Sequence, residues 1–175
     1  MNKKRHTFES KIAGWFKMSE DVWMKHANPW SVYTRFTVLP FIVLAIWSRT
    51  WVGVWSWAFI VLSLLWIWFN PRLFGRIRYT DNWASRGVFG ERVWLNRKNV
   101  PIPEHHRLMP TILNSAQVCG LPFIIWGLWI LNFWIMFVGL IIMMGAKIWY
   151  VDRMVCIYED MKHIPEYGKW ECKKT

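Results

Sequence analysis

Along much of the chain, polar residues do not alternate with apolar ones at helical or strand spacing. Long stretches are apolar on every side. Residues 111–146 contain no charged side chain over 36 positions. As one helix this run measures about 54 Å, against a hydrocarbon thickness of about 30 Å that takes about 20 residues. It is too long for one crossing and suits two. The polar break at Leu131 and Asn132 places the turn, which predicts spans at 111–130 and 133–150. Lys147 lies near the end of the second, within snorkelling distance of the surface. Upstream, residues 51–69 are 19 uncharged positions and residues 36–48 only 13. The shorter run spans if it extends back to Ser31 with Arg35 at a boundary, and Arg49 and Thr50 then make the turn. A buried core helix is the alternative for a 13-residue run, but the neighbouring span needs a return path.

These elements predict an all-α, polytopic membrane protein: four transmembrane helices as two hairpins, with amphipathic helices on the cytoplasmic side. A single membrane domain, 1–175, divides into an N-terminal amphipathic helix (1–30), a first hairpin (31–69), a basic loop with an amphipathic helix (70–110), a second hairpin (111–150) and a tail (151–175). LPFIVLAIW, from Leu39, and LPFIIWGLW, from Leu121, share five of nine positions. They predict that each hairpin begins with a Leu-Pro-Phe-Ile helix, either as a parallel repeat or as two similar apolar helices.

Charge sets the orientation. The net charge of +11 sits in blocks. Lys and Arg crowd the N-terminal segment, the 70–110 loop and the tail, whereas the hairpin tips hold only Arg49. The positive-inside rule then places both termini and the middle loop in the cytoplasm. The sixteen Trp agree, because the indole ring favours the membrane–water boundary. Trp47, Trp51, Trp126, Trp129 and Trp134 mark the outer side, and Trp30, Trp66, Trp68 and Trp149 the inner one. No cleavable signal peptide is expected. The three Cys form no CxxC pair, and no disulfide framework is expected.

Chemistry is therefore expected at the cytoplasmic side. In 7–30, Phe8, Ile12, Trp15, Phe16 and Trp23 recur at helical spacing among lysines, predicting a helix on the membrane surface or packed under the bundle. Asn28-Pro29 stops it and starts the first span, and Asn70-Pro71 ends the second. Thr80 or Asp81 caps a helix running to Asn96. On it Glu91 falls within an apolar face and requires a partner. The expectation is a polar cluster with at least one of Arg86, Arg92, His26 or His106 in hydrogen-bonding reach, serving either as a structural tie or as a functional carboxylate. The last span continues as a helix out of the membrane. That would align Asp152, Cys156, Glu159 and His163 on one face, and pair Asp160 with His163 at i, i+3. These are acceptable metal-ligand types, although charges on an exposed helix end usually serve solubility alone. His26 precedes the first span and His105 and His106 the third, so a bundle can bring them together around a metal or lipid phosphate, with Glu91 or Glu104. Arg76, Arg78, Arg97 and Lys98 are the candidate contacts for anionic lipid head groups.

There is no Gly-rich phosphate loop, G-x-S-x-G elbow or H-E-x-x-H helix, and five histidines are too few for a histidine-rich di-iron desaturase site. The basic loop does not read as a nucleic-acid binder, because its aromatics are taken by the membrane.

HANPWSVYTRF, WFNPRLF, DNWASRGVFGERVWLNR, IPEHHR and DRMVCIYEDM resemble the motifs of a family of small uncharacterised prokaryotic integral membrane proteins, over roughly residues 26–161. The resemblance implies a shared membrane architecture and brings no activity or cofactor with it. It directs attention to His26, Asn28, Arg35, Asp81, Asn82, Arg86, Glu91, Arg92, His106, Asp152 and Asp160. Three functional readings follow. One is a non-enzymatic accessory subunit of a larger membrane complex, a homo-oligomer or a lipid-binding protein. The second is a membrane enzyme with a cytoplasmic-face site, metallated or not, acting on a lipid or quinone-like substrate. The weakest is a small transporter, since charges are missing from mid-membrane and, of the polar residues Asn114, Ser115 and Gln117 within a span, Asn114 and Gln117 suit hydrogen bonding between helices.

Overall fold

The computed structural model of the chain describes residues 19–77 and 79–171, which form helices and turns without strands. Of the expected N-terminal amphipathic helix, the part up to Met18 lies outside the described residues, and so does Arg78. Three helical stretches are long and apolar enough to cross a membrane: Pro29–Asn70, Glu104–Trp129 and Phe133–Met161.

Helix α1 (Glu20–His26) is capped by the Ser19 hydroxyl, which accepts from the Val22 N–H, with Glu20 and Asp21 at its start and Lys25 in its last turn. That charge order suits the helix dipole. Asn28 caps α2 (Pro29–Phe36), whose first position is Pro29, where its missing N–H costs nothing. A break at Thr37 leads to α3 (Val38–Trp47).

The first tip differs from the expected tight turn at Arg49 and Thr50. After α3 come a short helix α4 (Arg49–Val52) and a 3-10 turn (Gly53–Trp55), and the return arm α5 (Ser56–Leu73) starts only at Ser56. The chain pivots at Gly53, whose φ of 55° is left-handed and open to glycine without steric cost. The far end also differs, because α5 runs through Asn70-Pro71 to Leu73. It stops where Phe74 turns extended, which brings the Gly75 carbonyl to accept from Asn28 Nδ2 at 3.1 Å.

Asn70 is buried between the two arms. Its Oδ1 accepts from Ser31 Oγ at 2.8 Å and its Nδ2 donates to Thr34 Oγ1 at 2.7 Å, so Pro29–Asn70 folds back on itself. Buried polar groups in apolar surroundings must be paired in this way.

The second hairpin follows its expected turn. Helix α7 (Leu108–Trp129) gives way to α8 (Phe133–Met161) through Leu131, with φ 54°, and through Asn132, whose side chain accepts from the N–H groups of Trp134 and Ile135. Glycines bring the two helices close: a Cβ on Gly139 would stand 2.7 Å from the Gly120 carbonyl oxygen, and one on Gly127 2.3 Å from Met136 N. Small residues at a crossing permit this packing in a membrane. The two Leu-Pro-Phe-Ile segments are not equivalent. Pro40 lies in the first turn of α3, whereas Pro122 is inside α7. The hairpins meet through Val43, Ile124, Leu128 and Met136, and the Arg49 guanidinium donates to the Leu128 carbonyl.

The largest core lies at the charged end. Helix α6 (Trp83–Asn96) ends where expected but is capped by Asn82, which accepts from Ser85 N at 2.8 Å, rather than by Thr80 or Asp81. It lies across the extension of α8, burying Ala84, Val88, Phe89 and Val93 against Met154, Ile157 and Tyr158, with Tyr167 of α9 (Pro165–Gly168) and Trp170 closing the side. Gly87 and Gly90 are the contact points, facing Val151 and the Met154 backbone.

Candidate functional site

Beneath α6 a cavity of about 370 Å³ opens among five helices. Leu39, Met143, Met144 and Val151 give it apolar walls, and its polar lining is Arg35 of α2, Glu91 of α6, Gln117 of α7 and Lys147 of α8. Arg35 does not turn out to a boundary. Its Nε donates to the Ser31 carbonyl at 3.1 Å, its Nη2 to the His26 carbonyl at 3.2 Å, and its Nη1 contacts both ring nitrogens of His26, with Nδ1 at 3.0 Å. An imidazole accepting from a guanidinium must be neutral on that nitrogen. Burial first, then the charges of Arg35 and Lys147, hold the His26 pKa well below the usual histidine value.

Glu91 lines this cavity together with Arg35. No hydrogen bond or ion pair reaches Glu91 among the described residues. Its four expected partners are engaged elsewhere. Arg86 pairs with Asp81, and with Glu159 at 3.0 Å. Arg92 pairs with Glu20 at 2.5 Å and lies over the Trp170 ring at 3.9 Å and the Trp23 ring at 5.3 Å. His26 carries Arg35, and His106 binds Asp160. The expected single cluster is thus divided, because α6 turns Arg86 and Arg92 to other elements than Glu91.

The chain belongs to a family of unknown function (DUF6653), whose pattern matches residues 7–172. No curated protein and no solved structure matches it. For this member of the family, function has to be argued from its own side chains.

The histidine-carboxylate pairing of the tail takes a different form from Asp160 with His163. Helix α8 ends at Met161, which leaves the exposed His163 beyond it. Asp160 Oδ2 instead lies 2.8 Å from His106 Nε2 and 3.4 Å from His105 Nε2. Asp152 pairs with Arg153 at 2.9 Å and accepts from Trp83 Nε1 at 3.4 Å, and Glu159 pairs with Arg86 and Lys162. Among the described residues the one group of three with metal-ligand geometry is His105, His106 and Asp160.

Of the head-group candidates, Arg76 is held by Asp21 at 2.5 Å, Arg97 lies over the Trp94 ring at 4.1 Å, and Lys98 is exposed. Gln117 donates to Asn114 Oδ1 at 3.2 Å within α7 rather than between helices. Arg35 and Lys147 are the site residues that sequence reasoning assigned to boundaries. The available signal was a lone cation inside each apolar run, which in a membrane marks a functional position by default.

Proposed function

We propose that this is a four-crossing integral membrane protein, with both termini cytoplasmic, that binds the head group of an anionic amphiphile in the Arg35–Glu91–Lys147 cavity. The carrying observation is two cations, one carboxylate and one amide set into an otherwise apolar cavity shared by five helices. With all three groups ionised the lining is one positive charge in excess, which suits a monoanionic head. The walls at Leu39, Met143 and Met144 suit an acyl or prenyl chain. Such sites combine an apolar lining with a few polar groups that fix orientation. Arg76 and Lys98 add a basic surface outside the cavity, each cation there worth about 1 kcal/mol to an anionic membrane.

The test is the amphiphile retained by protein purified in mild detergent, measured by mass spectrometry. Wild type should hold one anionic species per chain, above its share of the host lipid. Lys147→Gln should lose that enrichment while keeping its helical content, because among the described residues Lys147 forms no hydrogen bond or ion pair and lies over the Tyr150 ring at 5.0 Å. Equal enrichment in wild type and Lys147→Gln would overturn the proposal.

A further inference from the structure

We infer that His105, His106 and Asp160 form a binding site for a divalent transition-metal ion of the zinc class. The inference is independent of the amphiphile site. The histidines are the last two residues of the 3-10 turn Glu104–His106, which leads into α7, and Asp160 is on the last turn of α8. A 3-10 turn has three residues per turn, so consecutive side chains project about 120° apart. Here both rings nevertheless converge: their centroids are 4.1 Å apart and both Nε2 atoms face the same carboxylate oxygen, at 2.8 and 3.4 Å.

A salt bridge alone gives little reason for that convergence. The His105 side chain is 67% exposed and that of Asp160 49%, and exposed pairs contribute almost nothing measurable. A cation held by all three groups accounts for two rings converging on one carboxylate oxygen. The three donor atoms lie within 4.8 Å of one another. Ligands at about 2.1 Å from a tetrahedral ion stand about 3.4 Å apart, so small side-chain rotations close the site.

The donor set decides the class of ion. Two imidazole nitrogens and one carboxylate oxygen suit zinc, iron(II), cobalt and nickel, whereas magnesium and calcium prefer oxygen throughout. Three protein ligands leave a position for water, the arrangement of an open rather than a purely structural zinc site. His106 is buried and anchors the set, while the exposed His105 and Asp160 leave the fourth position facing solvent. Arg107, the adjacent cation, has a carboxylate of its own in Glu104, at 3.5 Å.

The experiment uses the full chain in detergent, without a histidine tag, stripped with chelator and titrated with Zn²⁺ by calorimetry. Co²⁺ serves as the visible probe of coordination geometry. Wild type should bind one ion, and Co²⁺ should give the intense visible bands of a low-symmetry site. His105→Ala and Asp160→Asn should each weaken binding about 100-fold or more, since loss of even an outer-shell partner costs about 10- to 100-fold. His163→Ala, also a surface histidine, should change nothing. Circular dichroism and thermal melts establish that the variants are folded. No stoichiometric binding by wild type, or equal affinity in wild type and folded His105→Ala, would overturn the site. So would an equal loss in His163→Ala.

Discussion

Gly90 of α6 lies so close to Met154 of α8 that a Cβ at position 90 would stand 1.8 Å from the Met154 carbonyl oxygen. The obstacle is backbone, which cannot swing aside as a side chain would. Gly90→Ala should therefore force the two helices apart and cost roughly 3 kcal/mol, the upper part of the range for overpacking. Gly145→Ala, at a glycine with open space around it, is the control. A thermal melt in detergent in which both variants match wild type would show that the crossing is not as close as this.

Glu91→Gln gives the cavity a second excess positive charge and leaves its shape unchanged. If the cavity holds an anionic head group, retention of anionic amphiphile should rise several-fold, opposite in sign to the Lys147→Gln effect. A carboxylate that merely ties α6 in place would instead show a lower melting temperature and no change in bound amphiphile.

His26 makes stability depend on pH in a defined direction. Its folded pKa is well below 6.5, while the unfolded chain titrates near 6.5. Between those values the unfolded state binds more protons, so stability is complete above pH about 6.5 and falls as pH drops below it, by up to about 1.4 kcal/mol per pH unit. His26→Gln keeps an acceptor for Arg35 but cannot titrate. The difference in melting temperature between wild type and His26→Gln should change from pH 7.5 to pH 5.5, in favour of the variant at low pH. A difference constant with pH would rule out a neutral His26.

Asn70→Leu removes both hydrogen bonds across the first hairpin and leaves the Ser31 hydroxyl to find a partner. Polar contacts between helices in membranes average about 0.6 kcal/mol each, so a loss of roughly 1 kcal/mol is expected in a denaturation assay. Ser63→Ala, whose hydroxyl donates within its own helix to the Phe59 carbonyl, should cost less. The opposite ranking would remove the role assigned to Asn70.

The four-crossing topology predicts that single cysteines at positions 49 and 132, in a chain whose native cysteines are replaced, react with an impermeant thiol reagent applied outside intact cells. One at position 98 should react only after permeabilisation. Outside labelling at position 98 would refute a cytoplasmic middle loop.

Local physics explains which features were legible in the sequence. The turn at Leu131 and Asn132 could be read because a single polar break interrupts an apolar run, and Asn132 caps the next helix from within its own turn. The run of α8 past Tyr150 and the end of α6 at Asn96 follow in the same way from neighbouring residues. The first tip was misread because Arg49 and Thr50 carry the polar signal while Gly53, four residues on, carries the backbone freedom. The cap of α6 was misplaced by one or two residues because Thr80, Asp81 and Asn82 are all good caps, and only the path of the chain chooses among them.

The groupings of side chains were decided by tertiary structure alone. Hydropathy and charge determine where along this chain the long apolar helices fall and where its cations collect, because burial depends on each residue's own chemistry. They do not determine that Glu91 lines one cavity with Arg35 and Lys147, that Arg92 lies over both Trp23 and Trp170, or that Asp160 turns to histidines 54 and 55 positions away. The last depends on how α7 packs against α8, and the first two on where α6 crosses α8 and how far it rotates about its own axis. Gly87 and Gly90 set both by allowing backbone to approach backbone at one place. A glycine in a sequence shows only that such an approach is permitted; which partner approaches is decided when the helices pack.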